Sequence, residues 1–247
     1  IMRHLGASVK WLDHNTLRIH ASKIETTSIP SAFAQKIRAS VVFAGPLLAR
    51  AGKLHLPIPG GDSIGERRLD THALALQKLG VTIELDGNAL VMSANKLKGA
   101  NILLSEASVT ATENALMASV LAQGTTIIRN AACEPHIQDL CVMLNTLGAQ
   151  IEGIGTNQLT IQGVSKLHSG EVRIGADYME VGSFIGAAIM TGGELLIKDA
   201  DPQHMEMIAF SFARLGVTWE TRSQDIFVPA NQSLTVMPDL GNRMPII

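Results

Sequence analysis

The sequence predicts an α/β fold built from repeated units of about 68 residues, with apolar helices inside and sheets around them. Three observations carry this expectation. The segments RHLGASV, QKLGVTI, NTLGAQI and ARLGVTW place Gly6, Gly80, Gly148 and Gly216 at spacings of 74, 68 and 68 residues. Ten or eleven residues after each glycine stands a short strand-like run, at 17–19, 90–92, 159–161 and 226–228. A second type of helix also recurs, in SVVFAGPLLARAG, NALMASVLAQG and GSFIGAAIMTGG, each followed by a strand. Helices this apolar and this rich in small residues have no polar face to give to water, so they belong inside.

Each unit then reads helix, strand, helix, strand, strand. The helix ahead of the repeat glycine is amphipathic at 70–79, 136–147 and 204–215. In the middle copy Ile137, Leu140, Cys141, Leu144 and Leu147 share one face. The glycine ends the helix, because it enters a left-handed backbone without a Cβ penalty. The polar residues Asn15, Asn88, Asn157 and Asp225 stand just before the strand-like runs and mark hairpin turns.

Bulk properties narrow the function classes. Of the 247 residues 46% are apolar and 17% charged, a globular composition with ample core. A net charge of −2 without a basic block argues against a nucleic-acid partner. No apolar run approaches the ~18 residues of a membrane span, so no membrane partner is expected. Cys133 and Cys141 read as reduced core thiols of a cytoplasmic protein, and the methionines as core filling. No set of cysteines and histidines has metal-ligand spacing, and no Walker or dinucleotide fingerprint occurs. The opening IMRHLGASV reads as the end of a helix running into a strand, so the chain is expected to be part of a longer protein.

The stretch PGGDSIGERRLDTH at 59–72 holds the densest chemistry: glycines that let a loop move, Asp62, two arginines, Asp70 and His72. Asp62 after Gly-Gly is a common turn residue as well as a candidate acid. Asp70 reads as the N-cap of the following helix. His72 reads equally as a contact or as a first-turn surface residue.

Taken together, IRASVVFAGPLLAR, PGGDSIGERRLDTH, LKGANILL, SVTATENALMAS, GTTIIRNAACEPHIQDL and GADYMEVGSFIGAA resemble the enolpyruvyl transferases in order and spacing. Among these, the likeness is to the UDP-N-acetylglucosamine 1-carboxyvinyltransferases. The resemblance implies an inside-out α/β barrel of six repeats in two domains. Residues 1–175 would form most of the first domain, with the lid loop 59–72, and 176–247 the incomplete start of the second. It implies transfer of the enolpyruvyl group of phosphoenolpyruvate to the 3′-hydroxyl of UDP-N-acetylglucosamine, the first committed step of peptidoglycan synthesis, with no cofactor. Phosphoenolpyruvate and the nucleotide sugar are the implied partners, and the rest of the same chain is needed to complete the cleft.

Residue by residue, the resemblance implies that Asp62 stands where the family has a general-acid cysteine, and hence that the epoxide fosfomycin has no thiolate to alkylate. Arg38 matches a nucleotide-sugar contact, and Arg67 the arginine that meets phosphoenolpyruvate and nucleotide, a role suited to a planar, bidentate donor. Arg68, Leu69, Asp70 and Thr71 continue the segment lining the uridine end, with Arg68 in place of proline. Ser108 and Val109 match the diphosphate cup, followed by Thr110 in place of glycine. Glu106 replaces a lysine and is expected to point away. Glu134 is expected to be structural, and Asp177 and Glu180 to lie at a hinge. Two other readings stand beside this one: a transferase acting on shikimate 3-phosphate, and a non-catalytic nucleotide-sugar-binding paralogue.

Overall fold

In a computed structural model, residues 1–62 and 68–237 are described. They fall into two units, Ile1–Val172 and Arg173–Ile247.

The first unit opens with the hairpin β1 (Ser8–Trp11) and β2 (Leu17–His20), paired antiparallel with Trp11 opposite Leu17. A short helix α1 (Ser31–Ala34), a 3₁₀ turn at Arg38–Phe43 and helix α2 (Ala44–Ala51) lead into strand β3 (Lys53–Pro57). Helix α3 (Asp70–Lys78) precedes β4 (Thr82–Asp86) and β5 (Ala89–Ser93), and β3, β5 and β4 form one antiparallel sheet. Strand β6 (Asn101–Leu103), helix α4 (Val109–Ser119), strand β7 (Thr125–Arg129), helix α5 (Pro135–Thr146), and β8 (Gln150–Glu152) with β9 (Gln158–Gln162) complete the unit. Their sheet runs β6-β7-β9-β8, with β6 and β7 parallel and the remaining pairs antiparallel.

The second unit repeats the plan. Helix α6 (Tyr178–Thr191), strand β10 (Leu195–Ile197), helix α7 (Glu206–Ala213) and the hairpin β11 (Glu220–Arg222) with β12 (Asp225–Val228) follow in order, and the sheet runs β10-β12-β11.

The expected repeat is present at each level. All four strand-like runs are the second strand of an antiparallel hairpin. The repeat glycines all have positive φ, at 105°, 94°, 96° and 79°. The apolar helices lie inside in the first unit. Helix α4 buries Ala111, Thr112, Asn114, Ala115, Leu116, Ala118 and Ser119, more than one face's worth, and packs against α2, α3 and α5.

Three expectations are corrected. In the second unit the apolar helices keep an exposed side: Met179, Phe184 and Met190 of α6, and Met207 and Phe210 of α7, lie open. Met190 and Met207 are therefore not core filling, whereas Met205 is buried. Cys133 is exposed, because it precedes α5 and does not share its inward face; Cys141, on that face, is buried, and burial pushes its thiol up to about 11.

Candidate functional site

The stretch 59–61 is laid against the C-terminal end of α1. The N–H groups of Gly60 and Gly61 donate to the carbonyls of Ala34 and Gln35 at 3.1 and 3.3 Å. A Cβ on Gly60 would run into the Gln35 carbonyl, and one on Gly61, whose φ is 102°, would lie 3.0 Å from the Arg38 nitrogen. Both glycines are therefore needed for the chain to lie this close. Asp62 follows directly and is exposed. Arg67 lies outside the described residues.

Arg38 begins the 3₁₀ turn and sends Nη2 to the carbonyl of Arg68 at 2.9 Å. This bond ties the far side of the 59–72 stretch to the same turn that Gly61 packs on. Arg68 pairs with Asp70 at 3.0 Å, with both side chains more than half exposed. Asp70 is thus the first helical residue of α3, held by Arg68. The N-cap position belongs to Leu69, which makes no side-chain cap, so the expected capping role of Asp70 is corrected.

Ser108 caps α4, its Oγ accepting from the Ala111 N–H at 3.4 Å. Its carbonyl accepts from the Thr112 hydroxyl at 2.8 Å, and the same hydroxyl accepts from the Ala132 N–H at 3.0 Å. Thr71, at the start of α3, hydrogen-bonds Ser105 Oγ at 2.8 Å and donates to Glu106 at 3.5 Å.

These elements enclose a cavity of about 480 Å³ lined by Arg38, Arg68, Asp70, Thr71, His72, Ser105, Glu106, Ser108 and Thr110. Five of the sequence-predicted residues (Arg38, Arg68, Asp70, Thr71 and Ser108) are thereby brought together from three separate segments. Leu69 and Val109 are half-buried and pack against the core instead, and Asp62 lies outside this lining. Glu106 does not point away: it lines the cavity, so two acids and two arginines share it.

Under the lining lies a buried polar network that the sequence gives little sign of. His72 is 3% exposed and Asn114 fully buried. Asn114 Oδ1 accepts from the Gly45 N–H at 2.7 Å, while its Nδ2 lies 2.9 Å from the Val41 carbonyl and 3.0 Å from His72 Nδ1. His72 Nε2 lies 3.2 Å from Thr110 Oγ1. Burial, with a smaller contribution from the positive charge of Arg38, lowers the His72 pKa to about 4, so the ring is neutral at pH 7.

Two further carboxylates sit on the α5 side of α4. Burial raises the pKa of Glu113, an effect that His136 opposes. Glu134 Oε2 is buried with no hydrogen-bond partner among the described residues. Asp177, expected at a hinge, is the N-cap of α6, its Oδ1 accepting from the N–H groups of Met179 and Glu180 at 2.9 and 3.2 Å.

Residues 1–245 match the family model described as EPSP synthase (3-phosphoshikimate 1-carboxyvinyltransferase). The chain belongs to the EPSP synthase family. Along its full length it is 52% identical to a UDP-N-acetylglucosamine 1-carboxyvinyltransferase of Treponema denticola. Over 99% of its length it is 48% identical to one of Bradyrhizobium diazoefficiens. It spans 58% and 57% of the length of these relatives.

Among solved structures, the enolpyruvyl transferase NikO from Streptomyces tendae superposes with a TM-score of 0.78 at 23% identity, covering 95% of this chain and 57% of that one. An EPSP synthase from Acinetobacter baumannii superposes at 0.70 and 20% identity, covering 96% and 56%. These likenesses establish the enolpyruvyl transferase fold for the chain, the inside-out α/β arrangement expected from its repeats.

Proposed function

We propose that the protein transfers the enolpyruvyl group of phosphoenolpyruvate to the 3′-hydroxyl of UDP-N-acetylglucosamine, releasing phosphate. The observation that carries this reading is the cavity itself. Arg38, Arg68, Thr71 and Ser108 converge on one space at the N-terminal ends of α3 and α4. Helix N-termini and arginine forks both favour phosphate oxygens. Near 50% identity to relatives bearing the name UDP-N-acetylglucosamine 1-carboxyvinyltransferase supports the same acceptor.

In this reading Asp62 gives a proton to the methylene carbon of phosphoenolpyruvate. The electron pair of the double bond takes that proton, and the neighbouring carbon becomes oxocarbenium-like. The sugar hydroxyl oxygen bonds to that carbon and its proton leaves to a base. In the second half the methyl carbon returns a proton, the double bond re-forms, and the carbon–oxygen bond to phosphate breaks. No redox change occurs. An aspartate serves as general acid only in its protonated form.

The reading includes cytoplasmic peptidoglycan synthesis, to which the two free thiols are suited. It also includes resistance to fosfomycin, since a carboxylate is a poorer nucleophile than a thiolate towards an epoxide. Because the chain spans 58% of its relatives' length, turnover is expected to need sequence matching their remainder. The 247-residue chain alone is expected to bind UDP-N-acetylglucosamine and to release no phosphate.

The test is a protein carrying the whole family length. Asp62→Asn should remove phosphate release while calorimetric binding of the nucleotide sugar persists; activity retained in that variant defeats the assignment of Asp62. Incubation with fosfomycin should leave Asp62 unmodified by mass spectrometry and the activity intact. The family model's own description favours a second acceptor, 3-phosphoshikimate. Thermal stabilisation by 3-phosphoshikimate and not by the nucleotide sugar would select it.

A further inference from the structure

We infer that Thr110 is a substrate-contacting hydrogen-bond donor, and that Asn114 sets it in that role through His72. The inference rests on the proposed function for the identity of the ligand, and on the hydrogen-bond geometry for everything else.

The direction of each bond follows from the groups that have no choice. The Gly45 N–H is only a donor and the Val41 carbonyl only an acceptor. Asn114 must therefore present its oxygen to Gly45 and its nitrogen to Val41. The second hydrogen on that nitrogen faces His72 Nδ1 at 3.0 Å. A ring nitrogen that accepts carries no proton, so the single proton of the neutral imidazole stands on Nε2. Nε2 then donates to Thr110 Oγ1 across 3.2 Å.

With its oxygen accepting from His72, the Thr110 hydroxyl has its own hydrogen left to give. Among the described residues Thr110 Oγ1 has no other hydrogen-bond partner, and the residue lines the cavity with Arg38, Arg68 and Ser108. The acceptor it awaits is an oxygen of the bound molecule, in this reading a phosphate or carbonyl oxygen of the nucleotide sugar. Had the chain run the other way, with Nδ1 protonated, Thr110 would spend its hydrogen on Nε2 and show the ligand only lone pairs.

The experiment has two arms on a protein carrying the whole family length, of which this chain spans 58%. Long-range nitrogen–proton NMR of the histidines, with the His72 signals identified by their loss in His72→Gln, reads the tautomer without any ligand. The expected result is Nε2–H in the wild type and a change to Nδ1–H in Asn114→Asp, whose carboxylate accepts from both Gly45 and His72. Calorimetry with UDP-N-acetylglucosamine reads the donor. Thr110→Val should weaken binding about tenfold, the effect of one lost hydrogen bond, and Thr110→Ser should restore it. An Nδ1–H tautomer in the wild type, or equal binding by Thr110→Val and wild type, overturns the inference. If the wild type binds no nucleotide sugar, the proposed function fails, and the tautomers of wild type and Asn114→Asp alone decide the network. If Asn114→Asp does not fold, the wild-type tautomer and the two Thr110 variants decide it.

Discussion

At the scale of single residues, His72 makes the most definite prediction. Its folded pKa of about 4 lies below its ordinary value of 6.5, because burial and Arg38 disfavour the charged ring. The unfolded chain therefore takes up the proton first as pH falls. The contribution of His72 to stability is complete above pH ~6.5 and is lost progressively down to pH ~4, amounting to about 3 kcal/mol. Urea unfolding at pH 7 and at pH 4.5 should show this loss in the wild type and a smaller one in His72→Gln. Glutamine can accept from Asn114 and donate to Thr110 but does not titrate. Equal losses in the two proteins would show that His72 is not the titrating group. The sequence left His72 between contact and surface because its partner, Asn114, stands 42 residues away, and no local pattern reports burial over that distance. Asp70 illustrates the same limit on a shorter scale. Its position before an amphipathic run fits an N-cap, but the neighbouring Arg68 supplies a charged partner and the helix starts one residue early.

At the scale of elements, the packing of α4 on α2 depends on one missing side chain. Gly45 approaches α4 so closely that a Cβ would lie 2.7 Å from the Asn114 carbonyl oxygen. That oxygen belongs to a buried helix and cannot step aside, so Gly45→Ala should separate the helices and strain the Gly45–Asn114 bond. A cost of about 2–3 kcal/mol in denaturant unfolding is expected. Gly182→Ala in α6 is the internal comparison: its Cβ would meet the terminal carbon of Ile208 at 3.1 Å, a flexible side-chain end that can move. That variant should cost less than half as much, and a reversal of the order would contradict the packing argument. The elements were legible because their signals are local. Gly80, Gly148 and Gly216 follow the ends of helices, each polar turn closes a hairpin, and the small-residue helices ask for burial. Composition does not say what will cover such a helix. NALMASVLAQG in the first unit is enclosed by neighbouring helices, whereas GSFIGAAIMTGG in the second leaves Phe184 and Met190 open.

At the scale of the whole molecule, the two units differ in how much core they own. Among the described residues the buried cluster of the first unit has thirty-two members, running from Leu5 to Ile161. That of the second has eight, from Val181 to Val228. Burial of apolar surface is the main source of stability and scales with such clusters, so the second unit should open at lower free energy than the first. Hydrogen exchange checks this directly. Amides of α4 and β7 should exchange by global opening of the first unit, and those of α6 and β12 faster by at least an order of magnitude. Fluorescence gives an independent reading, because Trp219 sits edge-on to Phe212 in the second unit, with ring centres 6.2 Å apart, while Trp11 is exposed on the first. In a Trp11→Phe variant the remaining tryptophan should report a transition at lower urea than the far-ultraviolet circular dichroism of the whole chain. Coincident transitions would mean that the two units unfold as one, and that the smaller cluster draws on stability beyond its own eight residues.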